Sequence, residues 1–202
     1  MANVSKRFWL LALVGFGVAC LLLLGYLLWG EVLGLVPADA PPTQVLIALW
    51  DAYGQARAVA QAEAEDAQLV SASTQWQEVS EQALLVGANN WSFTFYSPAS
   101  SNVLDIVVSG GAARVVNQTR VWVAPKALAE GAWQEGPRDV LLVFLAYGGS
   151  VFLDEHPQAI VDLHLAEGDE GNPVWSIVAL DAGDRGLLAL LVDAETRQVL
   201  SD

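Results

Sequence analysis

An uncharged, apolar run of 23 residues, from Phe8 to Gly30, lies near the N-terminus of this chain of 202 residues and limits the folds that it can adopt. As an α-helix the run would be roughly 34 Å long at ~1.5 Å per residue, enough to cross a hydrocarbon core of about 30 Å. It predicts a cytoplasmic tail over residues 1–7 and a transmembrane helix over residues 8–30, in contact with the lipid bilayer. Basic and amphipathic side chains at its two ends are predicted at the membrane interface, namely Lys6, Arg7, Trp9, Tyr26 and Trp29.

Charge around the run predicts its orientation. Lys6 and Arg7 precede it, and only Glu31 follows closely. Positive residues favour the cytoplasmic side of a membrane. We therefore expect a signal-anchored, single-pass protein of the cell membrane, with a cytoplasmic N-terminus and an extracytoplasmic C-terminal domain.

Two other uses of the run are possible. A signal peptide could be cleaved after Ala40, but the run is longer than the ~7–15 apolar residues that such peptides carry, and Pro41 disfavours cleavage. A lipoprotein could be acylated at Cys20, but Gly17 stands where a lipobox has an aliphatic residue, and the run continues past the cysteine. An uncleaved anchor is therefore the favoured interpretation.

The charge of the chain lies outside this segment. The net charge is −14, with 9 basic and 23 acidic residues, and the four charges in residues 1–40 cancel. An acidic domain cannot neutralise phosphates, so nucleic acid is excluded as a partner. Cys20 is the single cysteine, so the outer domain has no disulfide and no zinc–thiolate site. Its acidic surface is expected to steer it toward a basic face of a protein partner.

Periodicity divides the remaining chain into four parts: a linker (31–43), a first module (44–119), a connector (120–136) and a second module (137–202). Each module opens with a predicted helix, the first capped by Thr43 and ending at Glu63, the second running from Asp139 to about Phe152. The first helix has an alanine-rich face suited to close packing on a sheet. Strands are predicted at Leu69–Thr74, Trp91–Tyr96, Val103–Val108, Ala113–Val116, Ala159–Leu165, Val174–Leu180, Leu187–Asp193 and Gln198–Leu200.

The two modules look like copies of one unit. Trp91–Val116 aligns without a gap on Trp175–Leu200, with the tryptophans, the apolar alternation and the intervening turn in the same order. We therefore predict an α+β fold of two repeated modules, each with one helix packed on an antiparallel sheet. Each copy is small, so we expect the pair to share a core.

The C-terminal copy carries a motif that suggests a family. Its last strand and turn read VDAETRQVL, from Val192 to Leu200. This resembles the PepSY/cystatin-like module of bacterial envelope proteins, which usually ends in V-D-A-x-T-G-x-V-L. Arg197 replaces the usual glycine, and the first copy has Ser109-Gly110-Gly111 in place of the turn. The resemblance implies binding or inhibition of another protein and implies no catalytic residues.

Polar clusters that could support chemistry are few. A carboxylate–imidazole metal site is conceivable among Asp154, Glu155, His156, Asp162 and His164, and a calcium turn among Asp181, Asp184 and Gly186. The spacings match no established metal motif. We therefore predict no catalytic, cofactor-binding or metal site and no cofactor.

Three tryptophans lie in predicted connectors, where an indole needs a special reason: Trp76, Trp122 and Trp133. They are expected to pack between the modules or to contact a partner, and they are our candidate partner contacts. The favoured function is a non-enzymatic membrane protein that binds or regulates another protein of the membrane or envelope. The alternatives are an accessory structural subunit of a respiratory or photosynthetic membrane complex and, least favoured, a metal-dependent hydrolase.

Overall fold

The computed structural model of the protein describes residues 46–77, 80–129, 131, 133, 136–181, 183 and 186–200. The predicted transmembrane helix over residues 8–30, its five interface residues (Lys6, Arg7, Trp9, Tyr26 and Trp29) and the linker over residues 31–43 lie outside the described residues. In the part of the chain that is described, no helix has both the length and the apolar character needed to span a membrane.

The helices and strands follow one another in an order that nearly repeats. The first half contains α1 (Leu49–Glu63), β1 (Gln68–Gln77), α2 (Glu81–Val86), β2 (Asn90–Ser97), β3 (Asn102–Ser109) and β4 (Ala112–Arg120). The second half contains α3 (Pro137–Phe144), α4 (Ser150–Glu155), β5 (Ile160–Glu167), β6 (Pro173–Asp181), β7 (Gly186–Asp193) and β8 (Val199–Leu200).

All eight strands form one antiparallel sheet. Its order is β4-β3-β2-β1-β5-β6-β7-β8, so each half contributes four adjacent strands. The halves meet where β1 pairs with β5, from Ala72 opposite Leu165 to Gln77 opposite Ile160. A continuous ladder of backbone hydrogen bonds therefore runs through both halves of the chain.

This sheet corrects the predicted fold class. Two modules, each with a sheet of its own behind a transmembrane helix, were expected, and that prediction is wrong because the strands of both halves join one sheet through β1 and β5. The local sequence could not reveal this pairing, since it joins strands about 90 residues apart. The boundaries predicted at 44–119, 120–136 and 137–202 stay a prediction.

The hairpins of the two halves nevertheless have the same register. In the first half Trp91 lies opposite Val108, and adding 84 to both numbers gives the observed pair Trp175 and Val192 in the second half. The same offset relates every pair from the first hairpin to one in the second. Equivalent positions in the two halves can therefore be compared one by one.

The helices cover one face of the sheet, and the core lies beneath them. In α1 the alanines Ala52, Ala56 and Ala60 are fully buried, which allows the helix backbone to approach β2, β3 and β4 closely. The helix begins at Leu49 after Ala48, which makes no side-chain cap, so the predicted cap at Thr43 is wrong. On the sheet, buried side chains alternate with half-buried or exposed ones along β2 and β6. None of the described helices covers this other face, which we call the open face.

The second predicted helix is broken in the middle. Between α3 and α4 the residues Leu145–Gly149 form an irregular turn, with Gly148 at φ 107°. This positive φ favours glycine, and it separates two short helices where a single one from Asp139 to Phe152 was predicted. Gly149 in this turn lies directly against the ring of Phe144.

Candidate protein-binding surfaces

The aspartate of the C-terminal motif has a structural role. Asp193, in the VDAET motif, accepts hydrogen bonds from Glu195 N (2.9 Å), Thr196 N (2.7 Å) and Thr196 Oγ1 (2.9 Å), and its other oxygen accepts one from Asn172 Nδ2 (2.6 Å). Burial raises the pKa of Asp193, but these hydrogen bonds lower it more, so the net pKa lies below its ordinary value. The motif therefore builds the turn between β7 and β8.

A second carboxylate does the same for the turn between β2 and β3. Asp66 accepts hydrogen bonds from Ser97 Oγ (2.7 Å) and Ala99 N (2.6 Å). The bond from the Ser97 hydroxyl, followed by that from the Ala99 amide, holds the pKa of Asp66 below its ordinary value. This carboxylate is thus committed to a turn and is not poised for catalysis.

The predicted metal candidates do not converge. Among the described residues no three His, Cys, Asp or Glu side chains lie close enough together to hold a metal ion. His156 Nδ1 lies 3.4 Å from Asp181 Oδ2, and its ring packs against Phe152 and Gly186. Asp162 accepts a hydrogen bond from Gln75 on the neighbouring strand (2.8 Å). Asp184 lies outside the described residues.

The three candidate partner tryptophans have different surroundings. Trp76 is buried and donates to the Gly87 carbonyl (2.8 Å), while Trp133 is buried and stacks on Trp50, with ring centroids 4.7 Å apart. Trp122, just after β4, is 98% exposed. Of the three, only Trp122 offers its ring to a partner in this conformation.

The open face of the sheet carries an apolar patch that the sequence did not lead us to expect. Along β7 the inward residues pack on the core, and the outward residues are apolar as well. Leu180 lies opposite Leu187, Val178 opposite Ala189, and Leu191 opposite Leu200. We call these six residues the outer apolar patch. Its leucines are substantially exposed: Leu180 42%, Leu187 65%, Leu191 41% and Leu200 39%.

The equivalent face of the first half is mixed: Tyr96, Val103 and Val107 correspond to Leu180, Leu187 and Leu191, but the positions between them are polar. There Asp105 accepts hydrogen bonds from Thr94 Oγ1 (3.1 Å) and Asn117 Nδ2 (3.0 Å) across three neighbouring strands. At the offset of 84, Thr94 corresponds to Val178 and Asp105 to Ala189. Since these two positions tolerate a polar network in the first half, the sheet itself does not require apolar side chains at Val178 and Ala189.

A second distinctive surface is the free edge of the sheet at β4. The segment 106–129, which contains β4 and the chain after it, holds three of the nine basic residues and none of the 23 acidic ones. β4 is the first strand of the sheet order, and its side chains from Val116 onward are exposed. Arg114 and Arg120 therefore lie on an exposed edge of an otherwise acidic molecule.

Comparisons with known proteins give the fold and little more. No family model matches the chain, and no curated protein matches it. A solved structure of a putative lipoprotein (CD1622) from Clostridium difficile 630 is similar in fold, with a TM-score of 0.50 and 15% identity over 79% of this chain and 94% of that one. The likeness to PepSY/cystatin-like modules therefore remains a resemblance of the C-terminal motif.

The predicted single-pass, signal-anchored arrangement is corrected at this point. The helix on which it depended lies outside the described residues, the described helices are too short to cross a membrane, and the similar structure is that of a putative lipoprotein.

Proposed function

We propose that the protein is a non-enzymatic binding protein that recognises another envelope protein through the outer apolar patch. The observation that carries the proposal is the exposure of four leucines on three neighbouring strands, on a face that none of the described helices covers. Contiguous exposed apolar patches on a protein surface mark interaction sites. The protein-binding role implied by the motif at the end of the chain agrees with this function.

The surroundings of the patch indicate what kind of partner it fits. No charged side chain stands among the six patch residues, while the molecule as a whole carries a net charge of −14. A partner with an apolar centre and a rim of lysine or arginine would match both properties. Because long-range attraction between opposite charges is screened by salt, association should slow as ionic strength rises.

The proposal includes association with a membrane, with the described domain outside the cytoplasm. Its support is the similar fold of a putative lipoprotein, together with the apolar run from Phe8 to Gly30, which contains Cys20. Fractionation of cells should place the protein with the membranes, and protease added to spheroplasts should digest its domain. Fatty-acid labelling of the wild type and of Cys20→Ser then shows whether a lipid at Cys20 provides the attachment. Recovery of the protein in the soluble cytoplasmic fraction would overturn this part.

Binding through the patch can be tested by purification from native membranes. The double variant Leu187→Glu/Leu191→Glu places charge in the centre of the patch. Leu142→Glu is the matched control, since Leu142 is a 45% exposed leucine on α3, on the other side of the sheet. We expect the proteins that co-purify with the wild type to remain with Leu142→Glu and to be lost from the patch variant.

The folded state of each variant is measured alongside its binding. Thermal unfolding should show that both variants remain folded, because an exposed side chain contributes little to the core. If the patch variant is folded and retains the same co-purifying proteins as the wild type, the patch is not the binding surface.

A further inference from the structure

A different surface carries an inference that is independent of the outer apolar patch. We propose that the β4 edge binds an extended, acidic segment of a partner protein, which adds to the sheet as a ninth strand. The proposal rests on three properties of this edge: its unpaired backbone, its local positive charge and the exposed indole at its end.

The first property is geometric. β4 spans Ala112–Arg120 and pairs with β3 on one side, and no described strand pairs with its other side. The outer side of an edge strand presents unpaired backbone N–H and C=O groups, which can hydrogen-bond to an added strand. The strand is nine residues long, against two residues for β8 at the opposite edge. Of the two edges of the described sheet, β4 is therefore the one that offers an extended peptide a usable template.

The second property is charge. The residues on either side of the acid-free segment are Asp105 and Glu130, so 24 consecutive residues carry only positive charge. Within the described residues Arg114 and Arg120 form no ion pair, whereas Lys126 is paired with Glu167 at 2.8 Å. Opposite charges on adjacent strands stabilise the pairing and like charges oppose it. The edge thus favours an acidic strand and disfavours β4 of a second copy.

The positions of the two arginines specify the ligand further. Arg114 lies opposite Val107, on the open face. Arg120 lies opposite Asn102. Asn102 shares its face of β3 with Leu104 and Ile106, which face the helices. The change of face follows from the β-bulge at Val116. A peptide that pairs with both arginines therefore carries acidic residues on both faces of its strand. Acidic residues at every second position would all lie on one face.

The third property is the exposed side chain that follows the strand. Trp122 is 98% exposed and Val123 is 81% exposed, only two and three residues beyond Arg120. The loop is tied to the neighbouring turn by a hydrogen bond from Val121 N to Ser101 O (2.8 Å). Tryptophan is enriched among the residues that dominate binding energy at interfaces. Trp122 is placed to cover an apolar side chain of a strand that lies along β4.

The test uses the full-length protein and a synthetic probe. The probe is a ten-residue peptide of valine and threonine with two glutamates on each face. One control peptide has lysine in place of glutamate. The other has the glutamates but carries N-methyl groups along one edge, which removes backbone donors and keeps the charge. We expect binding of the first peptide with protection of β4 amides from hydrogen exchange, and binding at least about tenfold weaker for both controls.

Protein variants complete the test. Arg114→Glu/Arg120→Glu and, separately, Trp122→Ala should each weaken binding of the glutamate peptide by about tenfold or more. Leu187→Glu/Leu191→Glu should bind the peptide as the wild type does, so failure at one surface does not affect the conclusion about the other. Equal binding of the glutamate and lysine peptides would overturn the charge preference. Equal binding of the N-methylated peptide, or no binding of the glutamate peptide, would overturn strand addition.

Discussion

Arg197 holds a backbone conformation that L-amino acids rarely adopt, with φ at 61°. It stands in the turn after Asp193, where the motif that this turn resembles has glycine. A side chain in the left-handed region costs about 1–2 kcal/mol of folding free energy. Glycine avoids this cost but loses more conformational entropy on folding, so its net advantage is smaller. We expect Arg197→Gly to raise the free energy of unfolding by about 0.5 kcal/mol, measured by urea denaturation.

The control for this substitution is a second arginine in a different conformation. Arg114 lies in the middle of β4, in extended backbone. Glycine there should lower the stability, because a strand interior loses both side-chain contacts and chain entropy. If Arg197→Gly lowers the free energy of unfolding as much as Arg114→Gly does, the positive φ of Arg197 does not strain the folded backbone.

The hydrogen bonds of Asp193 and the desolvation of His164 predict how stability depends on pH. His164 is exposed on the open face of the sheet, and desolvation by its neighbours lowers its pKa. The unfolded chain therefore binds this proton more readily, and stability falls slightly as the pH drops through the unfolded value of about 6.5. The net pKa of Asp193 is also lowered, so its stabilising effect is present above its unfolded value of about 3.9 and is lost as the pH falls through the folded pKa.

Unfolding followed between pH 7.5 and pH 3 should therefore show two separate losses of stability. His164→Gln should remove the first loss and leave the second. Asp193→Ala should lower stability at pH 7 by about 2 kcal/mol, because it deletes charge-assisted hydrogen bonds, and it should flatten the second loss. A wild-type stability that stays constant from pH 7.5 to pH 5.5 would contradict the role given to His164.

At the scale of the helices, two glycines are expected to respond in opposite directions. Gly54 lies in the exposed middle of α1 with open space around its Cα, whereas a Cβ on Gly149 would lie 2.6 Å from the ring of Phe144 and 2.8 Å from its carbonyl oxygen. Gly54→Ala should stabilise the protein by about 0.5–1 kcal/mol. Gly149→Ala should destabilise it by about 2 kcal/mol, since the clash includes backbone.

Thermal unfolding of the two variants side by side checks this prediction. A gain in stability from Gly149→Ala would mean that the irregular turn between α3 and α4 is not required by packing. A loss from Gly54→Ala would mean that the exposed side of α1 contacts something that the described residues do not include.

Local periodicity was a good guide to single elements. The predicted strands Trp91–Tyr96 and Val103–Val108 lie inside β2 and β3, because alternation of apolar and polar residues is a local property of a strand with one buried face. The break between α3 and α4 was missed, since leucines and aromatics continue through it and Gly148-Gly149 was not read as a helix end. The short helix α2 was not predicted, because its six residues are too few to show a helical period.

At the scale of the whole molecule, the prediction failed where distant strands meet. The pairing of Trp76 with Val161 in the centre of the sheet depends on which edges of the two halves are free, and no local pattern encodes that. The outer apolar patch was missed for a different reason. Leu188, Leu190 and Val192 lie on the core side of β7, but their neighbours Leu187, Ala189 and Leu191 form an equally apolar second face. A strand that is apolar on both faces in a one-layer sheet was the available signal.

Photo-crosslinking in living cells can compare two equivalent positions of the two half-sheets. Leu191 and Val107 both point outward from the third strand of a half-sheet, and they differ by the offset of 84. A photo-crosslinking amino acid placed at residue 191 should capture one protein of discrete size, and the capture should disappear when Leu187→Glu is added. The same amino acid at residue 107 should capture nothing comparable. Equal products from both positions, none from residue 191, or a crosslink only to a second copy of the chain would contradict recognition of a partner protein through the outer apolar patch.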